Sequence, residues 1–488
     1  MPAAASLLTA LSSGTVMPTR PRVLIVGGGP VGLEAAVSCS LSGFAVTVCE
    51  KGASIGAAVR DWGHVQLFSA NKINCSPDGL RALSELGCPA PDSELCPTGN
   101  EYCTAYLDPL TRWLEQREEC EVLLGAAVES ISRGRLLKGD AIKAVGAKAR
   151  DSASFAALVD ISGEERMLDG LAAVVDCSGT YGNGNFLGCG GAPAVGERKL
   201  RMQRPDDFFY DRLPDVMGTD QEAFSPRAGS ADGAKPTVNV ALIGGGYSAA
   251  TTLRGLIAHA TQHAASMSLE IDWLLRKPAA NGAPYASIAD DPLPSRASLV
   301  EFANSLAAST AGANGPAVVR VHRGVSISTV GRDPTTGGLV VSGTREGGVA
   351  GAEEEAFEFH PRALVAHCGF RPSYDLASEL QVHLCYASEG PMKLASSLLA
   401  AKVAAESSGD ASAAGDCLKQ AAPGPELLTT PEPNFYVLGA KSYGRSSAFL
   451  LMLGHKQVQA VVGLLTDALM PSADLAADGP AAPVVGVN

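Results

Sequence analysis

Three glycines and one acid near the N-terminus have the types and spacing of a dinucleotide-binding site. The glycines form Gly27-x-Gly29-x-x-Gly32, and Glu50 follows about 20 residues later. In such a pattern the first glycine allows a tight turn, the second lets the backbone approach a pyrophosphate, and the third permits close packing of a helix on a strand. The helix N-terminus attracts the phosphates, and the acid accepts hydrogen bonds from ribose hydroxyls. These residues predict a dinucleotide site.

A second glycine pattern lies in the middle of the chain and reads Gly244-x-Gly246-x-Ser248-Ala249. Alanine replaces the third glycine, which the pattern tolerates. The strand that follows ends in Arg276 and Lys277, where the first pattern has an acid. Two cations at this place favour a 2′-phosphate, and hence NADP over NAD. The alternative is that they are ordinary solvated charges at a strand end.

Both patterns need a strand before them and a helix after them. The first follows the apolar run VLIV and precedes a helical stretch and the strand AVTVC. The second follows VNVALI and precedes a long helical segment and the strand SLEIDWLL. Strands that alternate with helices predict an α/β fold with parallel sheets covered by helices.

Composition limits the classes of partner. The chain has 488 residues, of which 46% are hydrophobic and 18% charged, so it can form more than one globular domain. A net charge of −13 argues against nucleic acid or an anionic membrane as the main partner. No uncharged apolar run of about 18 residues is present, so no integral membrane segment is expected.

Cysteine and histidine usage argues against disulfide staples and metal sites. None of the 12 cysteines has C-x-x-C spacing, and none of the 8 histidines has zinc-like spacing. Reduced thiols and a cytoplasmic location are therefore expected, with no metal. Residues 1–20 contain no acid and one arginine. They are expected to be a disordered tail, with an organelle transit peptide as the alternative.

With two dinucleotide sites, the chain resembles the two-dinucleotide-binding-domain flavoproteins, the superfamily of flavin-containing monooxygenases, thioredoxin reductases and glutathione reductases. Strands at 171–179 and 363–372 end in turns similar to the A-T-G turns of that superfamily. The resemblance implies two Rossmann-like domains, with an NADPH domain inserted into a discontinuous FAD domain. It implies FAD and NADPH as cofactors, and it adds three turn glycines to the cofactor-binding residues, namely Gly179, Gly369 and Gly439.

The expected division of the chain follows from that resemblance and from the Gly/Ala/Pro-containing stretch at 225–236. It comprises an N-terminal tail (1–20), the first part of the FAD domain (21–195), the NAD(P)H domain (235–355), the second part of the FAD domain (356–470) and a C-terminal tail (471–488).

Features of two branches decide the expected chemistry. The cysteine pairs of the disulfide reductases are missing, whereas GGGYSA at 244–249 resembles the form common in flavin-containing monooxygenases. The resemblance then implies a monooxygenase that forms a C4a-(hydro)peroxyflavin and uses O₂ to oxygenate a small molecule. The monooxygenase fingerprint FxGxxxHxxx(Y/F) is not visible between residues 185 and 235. The alternative is a flavin-dependent NAD(P)H reductase or oxidase without oxygen insertion.

Four residues after the first site are the catalytic candidates, namely Arg60, Trp62, His64 and Asn71. In the resembling families this stretch passes near the flavin, where Arg60 or His64 could stabilise negative charge and Trp62 could form a wall. Asn71 and the neighbouring Asn74 are donors suited to a flavin ring. The alternative is a half-buried aromatic residue with satisfied polar neighbours, and a loop cap for the asparagines.

Near the C-terminus, Gly439-Ala440 replaces the Gly-Asp whose aspartate bonds the ribityl chain in the resembling families. That contact is either absent or supplied by another group, for which Lys441, Tyr443 and Arg445 are candidates. In the second domain, Tyr285, Asp291 and Arg296 could line the nicotinamide or the substrate, with a surface loop as the favoured alternative. His367 and His455 are expected to be structural.

Overall fold

A computed structural model describes residues 20–142, 149–226, 235–278, 282–308, 317–347, 353–407 and 423–470. The strands are β1 (Arg22–Val26), β2 (Ala45–Cys49), β3 (Cys120–Leu123), β4 (Ala126–Ser132), β5 (Phe155–Ile161), β6 (Glu164–Leu171), β7 (Ala173–Asp176), β8 (Phe208–Phe209), β9 (Thr237–Ile243), β10 (Ser268–Leu274), β11 (Ala317–His322), β12 (Ser326–Arg332), β13 (Leu339–Arg345), β14 (Glu355–Phe359), β15 (Ala363–Ala366) and β16 (Phe435–Val437). The helices are α1 (Pro30–Leu41), α2 (Ala57–Asp61), α3 (Asn71–Asn74), α4 (Pro77–Glu85), α5 (Gly99–Tyr102), α6 (Asp108–Glu115), α7 (Glu197–Gln203), α8 (Tyr247–Gln262), α9 (Pro294–Ala308), α10 (Met392–Ser407) and α11 (Leu451–Leu469).

The first sheet contains five parallel strands in the order β16-β7-β1-β2-β3. β1 lies at its centre and is apolar along most of its length, as expected for a strand buried on both faces. Helix α1 covers the sheet, and α11 crosses α1 where Gly454 faces Val31. A Cβ on Gly454 would lie 2.7 Å from the Val31 side chain, so the glycine allows this close crossing.

The second sheet also contains five parallel strands, in the order β11-β10-β9-β15-β8. Two antiparallel three-stranded sheets, β4-β5-β6 and β12-β13-β14, complete the described strands. The chain forms most of the first sheet, then the second sheet, and returns to the first with β16. The expected fold class is therefore confirmed: two Rossmann-like units, with the second inserted into the first.

Strand pairing changes one expected boundary. β15 was expected in the second part of the first domain, but Ala363 pairs with Val240 of β9 in the second sheet. β8, which precedes the expected second domain, pairs with β15. An apolar strand ending in a glycine turn has the same sequence character in either sheet, so its partner could not be read from the pattern. The N-terminal tail up to residue 19, most of the predicted linker (227–234) and the tail 471–488 lie outside the described residues.

The segments that join the two units run side by side. Residues 183–185 lead into the second unit and residues 369–371 lead out of it, and Gly184 forms an antiparallel bridge with Phe370. The amide of Arg371 donates to the Asn183 carbonyl at 3.0 Å, and that of Asn185 to the Gly369 carbonyl at 2.9 Å. We call these two segments the connecting ribbon. Within the described residues, no helix is long and apolar enough to cross a membrane.

A buried carboxyl group joins α1 to the start of α4. The Glu34 carboxyl accepts hydrogen bonds from the Ser76 hydroxyl and, at 2.5 Å, from the Tyr106 hydroxyl. Ser76 also caps α4 by accepting from the amide of Gly79. Nε2 of His455 on α11 lies 3.7 Å from Glu34 Oε1. Burial raises the pKa of Glu34 to about 7 and lowers that of His455 to about 4.

The contribution of Glu34 to stability is expected to fall with rising pH, whereas that of His455, whose pKa is lowered, changes in the opposite direction. The pKa of Glu34 is 4.5 in an unfolded chain and about 7 when buried. The contribution of the raised pKa is fully present below the unfolded value and is lost as the pH rises through the folded value. Between about pH 5 and about pH 8, the free energy of unfolding should fall by about 3 kcal/mol more in the wild type than in Glu34→Gln. Urea unfolding of both proteins measures this, and equal pH dependence would contradict it.

Candidate functional site

The first glycine loop has the geometry of a phosphate-binding turn. Gly27 has a φ of +97°, and a Cβ there would lie 2.8 Å from the Cys177 carbonyl oxygen. A Cβ on Gly32 would lie 1.9 Å from the Gly27 carbonyl oxygen, so both positions need glycine for the fold itself. Gly29 differs, because its φ is −76° and a Cβ there would meet no described atom within 4 Å. The fold alone does not require a glycine at this place.

The surroundings of Gly29 fit a dinucleotide. Gly29 is the N-cap of α1, and no described side chain caps this helix, so its N-terminus is available to an anion. Glu50 accepts from the amide of Gly28 at 2.7 Å and from the amide of Gly52 at 2.6 Å, one with each carboxylate oxygen. Each oxygen retains a lone pair for a ribose hydroxyl. The residues present therefore suit the pyrophosphate and ribose of FAD.

The second glycine loop repeats this arrangement. Gly244 has a φ of +126°, and a Cβ there would lie 2.2 Å from the His367 carbonyl oxygen. Gly246 caps α8, and a Cβ there would meet no described atom within 4 Å. Two aromatic residues hold the loop: Trp273 Nε1 donates to the Gly244 carbonyl at 2.9 Å, and the Tyr285 hydroxyl donates to the Gly246 carbonyl at 3.0 Å. Tyr285 thus supports the loop.

The other predicted residues of the second site lie around this loop. Ser248 and Ala249 are in the first turn of α8, where Ala249 is fully buried. Arg276 and Lys277 follow the end of β10 after one intervening residue, and both are exposed. The carboxyl end of β10 lies beside that of β9, which leads into the glycine loop. Both cations are therefore at the edge of the sheet where ligands of such folds bind.

The stretch 57–70, which contains three of the catalytic candidates, belongs to the first unit and contacts the second unit at its end. Arg60 forms a 2.5 Å ion pair with Asp108 and donates through Nε to a backbone carbonyl, so its charge is already paired. Trp62 packs on Gly99, where a Cβ would lie 2.9 Å from the indole. His64 is exposed. The structure does not bring these three side chains together.

The end of this stretch reaches the second glycine loop. The Phe68 ring contacts the Tyr247 ring edge to face at 5.5 Å, and Tyr247 directly follows Gly246. Beyond it, the Asn71 side chain donates to the Asp92 carbonyl at 2.8 Å. Asn74 is fully buried and exchanges hydrogen bonds with Ser69. Both asparagines thus form hydrogen bonds that hold loops in place.

A cavity of about 530 Å³ opens beside the second glycine loop. Its lining includes Tyr247, Ser287, Asp291 and Asn304. Arg296 forms a buried 2.6 Å ion pair with Asp291. Asp291 is part of the cavity lining, whereas Arg296 is not.

A buried ion pair lies at the carboxyl end of the first sheet. Lys441 Nζ donates to Asp176 Oδ2 at 2.6 Å and to Ser178 Oγ at 2.9 Å, and it lies 4.9 Å from the centre of the Tyr374 ring. The side chains of Lys441 and Asp176 are 1% and 0% exposed. Ser178, in contrast, is exposed. Sequence reasoning named Lys441 but missed Asp176 and Ser178 as its partners.

The other C-terminal candidates have different surroundings. Tyr443 is buried and contacts Phe449, whereas Arg445 forms a 2.7 Å ion pair with Glu389. Three turn glycines expected to bind cofactor have positive φ values: Gly179 (+70°), Gly369 (+78°) and Gly439 (+73°). Gly369 belongs to the connecting ribbon. The Gly439 amide donates to Gln457 of α11 at 2.9 Å, which positions the start of the closing segment.

The described thiols form no disulfide, and the described histidines, cysteines and carboxylates form no cluster of three potential metal ligands. Every described cysteine is a free thiol, and burial raises the pKa of Cys49 and Cys75 to about 12. No group of three potential metal ligands occurs in the described part of the chain. His367 is bonded to Thr252 at 2.8 Å, and burial lowers its pKa to about 4. Cys49 and Cys75 are therefore unsuited to thiol–disulfide exchange at neutral pH, and the His367 imidazole is uncharged there.

Comparisons with known proteins show which domain and which fold this chain resembles. Residues 25–84, which contain the first glycine loop and Glu50, match the family described as an NAD(P)-binding Rossmann-like domain. A search of curated proteins finds no significant match. Among solved structures, the chain is similar to the bacillithiol disulfide reductases Bdr of Bacillus cereus and Staphylococcus aureus. The B. cereus structure has 16% sequence identity and a TM-score of 0.55, and the match covers 92% of this chain and 99% of that one. The S. aureus structure has 16% sequence identity and a TM-score of 0.54, and the match covers 93% of this chain and 100% of that one. At this identity the likeness shows a shared fold.

Proposed function

We propose that the protein is an FAD-dependent NADPH oxidoreductase that passes electrons to a small-molecule acceptor without inserting oxygen. The observation that carries this proposal is the presence of two glycine loops. In each loop the second glycine, Gly29 or Gly246, is not required by steric contacts within the described protein, because a Cβ there would meet no described atom within 4 Å. One loop lies in each unit, and the stretch ending at Phe68 links them by contact with Tyr247. A protein with two dinucleotides on adjacent units can transfer a hydride between them.

Each group has a stated task in this proposal. The N-terminus of α1 binds the FAD pyrophosphate, and Glu50 accepts from the adenosine ribose. The N-terminus of α8 binds the NADPH pyrophosphate, and Arg276 and Lys277 bind its 2′-phosphate. Bound FAD supplies the redox chemistry by accepting a hydride and releasing electrons to the acceptor. Arg60, Trp62, His64 and Asn71 belong to a stretch that shapes the space between the units and excludes water.

Two considerations favour a reductase over a monooxygenase. The similar structures named above are reductases by their names, and a small-molecule disulfide is the acceptor that those names suggest. The case for a monooxygenase rests on the missing cysteine pairs and on the form of the second glycine loop, GGGYSA, and the shared fold does not make that form specific. The described cysteines offer no disulfide pair, so the acceptor would have to receive electrons from the flavin directly.

The experiment is an acceptor screen with the purified protein. After FAD content is measured, NADPH oxidation is followed with O₂ alone and with small disulfides or quinones under anaerobic conditions. We expect one acceptor to support anaerobic turnover with one NADPH consumed per acceptor reduced by two electrons. Turnover that strictly requires O₂ and transfers ¹⁸O from labelled oxygen into a product would contradict the proposal and favour the monooxygenase.

The same assay tests the two cations. Replacing Arg276 and Lys277 by alanine should raise the KM for NADPH by about tenfold or more and leave the KM for NADH nearly unchanged. Arg166→Ala, on an exposed part of β6, is the matched control for loss of a surface arginine. An equal increase in the KM values for NADPH and NADH would show that the two cations do not bind the 2′-phosphate.

A further inference from the structure

Strand order predicts which half of a bound flavin dinucleotide lies over which strand. Glu50 directly follows β2, which lies on one side of β1, and is the proposed ribose acceptor. The phosphate-binding turn at Gly27 follows β1 itself. β7 lies on the opposite side of β1, with β16 beyond it. A dinucleotide whose adenosine lies at β2 and whose pyrophosphate lies at β1 therefore extends its flavin half towards the ends of β7 and β16.

Ser178 is the exposed polar side chain at that place. It lies two residues after β7, and its Cα would be 2.9 Å from a Cβ on Gly27, so it is in contact with the phosphate-binding turn. Its hydroxyl donates to Asp176 Oδ1 at 2.7 Å and accepts from Lys441 Nζ at 2.9 Å. Ala440, on the neighbouring segment, has no polar side chain.

Hydrogen-bond accounting decides what Ser178 can still do. A hydroxyl has one proton and two lone pairs. The carboxylate of Asp176 can only accept, so it takes the proton, and the ammonium of Lys441 can only donate, so it takes one lone pair. One lone pair is left, and Ser178 faces the site solely as an acceptor. A phosphate oxygen offers no proton to it, whereas a sugar-alcohol hydroxyl does.

We propose that Ser178 accepts a hydrogen bond from a hydroxyl of the ribityl chain of bound FAD, and that Lys441 and Asp176 are the positioning residues that fix its acceptor orientation. This inference rests on the proposed function. The buried ion pair holds the hydroxyl through two hydrogen bonds, and Lys441 Nζ lies 4.9 Å from the centre of the Tyr374 ring. The ligand class is a polyhydroxylated chain attached to a pyrophosphate.

Binding measurements with two ligands test the Ser178 contact. Dissociation constants for FAD and for ADP, which has no ribityl chain, are measured by titration calorimetry of the flavin-free protein. In Ser178→Ala the constant for FAD should rise about three- to tenfold, while that for ADP stays within about twofold of the wild type. Ser84→Ala, an exposed helix position, is the control and should change neither constant.

The outcomes separate this inference from the function on which it rests. If wild-type protein binds ADP but not FAD, the proposed function and the inference both fail. If wild-type protein binds FAD and Ser178→Ala binds it equally well, only the inference fails. An equal loss for FAD and ADP would assign Ser178 to the adenosine half and would also overturn it.

The positioning role has its own test. In Asp176→Leu/Lys441→Met the ion pair is replaced by apolar residues of similar size, so the Ser178 hydroxyl is free to rotate. FAD should bind more weakly to this variant, and adding Ser178→Ala should weaken binding less than twofold further, because the contact is already impaired. A full three- to tenfold additional loss, about that seen in the wild-type background, would overturn the positioning role of the pair.

Discussion

Gly29→Ala is expected to weaken FAD binding by at least about tenfold while the protein stays folded. The backbone at Gly29 has a φ that alanine adopts readily, and the new Cβ would meet no described atom within 4 Å. A substitution of this kind in an unstrained position leaves stability unchanged or raises it by about 0.4–1 kcal/mol. The added methyl group would instead occupy the space through which the pyrophosphate reaches the backbone. The measurements are the FAD dissociation constant and the thermal midpoint of the flavin-free protein.

Gly246→Ala is the matched control, because its surroundings in the second unit are the same. It should weaken NADPH binding and leave FAD binding unchanged, whereas Gly29→Ala should have the reverse specificity. Gly32→Ala should instead lower the stability of the protein, because a Cβ there would lie 1.9 Å from the Gly27 carbonyl oxygen. Normal binding of both cofactors to both of the first two variants would contradict the assignment of the loops.

Lys441→Met is expected to destabilise the flavin-free protein by about 3–5 kcal/mol. The substitution leaves the carboxylate of Asp176 buried, with its ammonium partner removed. Replacing both members by Asp176→Leu/Lys441→Met should recover at least about half of the loss, because neither charge is then desolvated. The measurement is the free energy of urea unfolding near pH 7 for the wild type, the single variant and the double variant.

The unfolding free energies of the three proteins distinguish a buried ion pair from an exposed one. A single variant within about 0.5 kcal/mol of the wild type would show that the pair behaves as an exposed one. A double variant that is less stable than the single one would mean that Asp176 has a second essential contact, such as its bonds to Ser178. Lys393→Met, which removes an exposed lysine near the start of α10, is the control and should change little.

Local sequence patterns predicted the parts of the site that depend on neighbours along the chain. The strand–turn–helix units around Gly27 and Gly244 were predicted with the correct order of elements, because each glycine has a task within its own loop. The acid after β2 was predicted for the same reason. Its two backbone bonds, to Gly28 and Gly52, could be anticipated from the requirement that a carboxylate beside a turn be held in place.

Contacts between distant residues could not be predicted in this way. Lys441 is 265 residues from Asp176, and nothing in either local sequence indicates the other. Arg60 was a candidate for charge stabilisation at the flavin, yet it pairs with Asp108, 48 residues later, because α2 and α6 meet in the fold. The assignment of β15 to the second sheet likewise depends on pairing with β9. Burial and partner choice in such cases follow from the tertiary arrangement.

The connecting ribbon has a consequence for how the chain folds. Because residues 183–185 lie against residues 369–371, the second unit begins and ends at the same point on the surface of the first. The cost of closing a long loop grows only slowly with its length when its ends are joined in the native state. Most of the first sheet is complete before the insertion, and β16 joins it afterwards. The second unit is therefore an insertion whose two ends are joined at the connecting ribbon, and its buried residues form a core of their own.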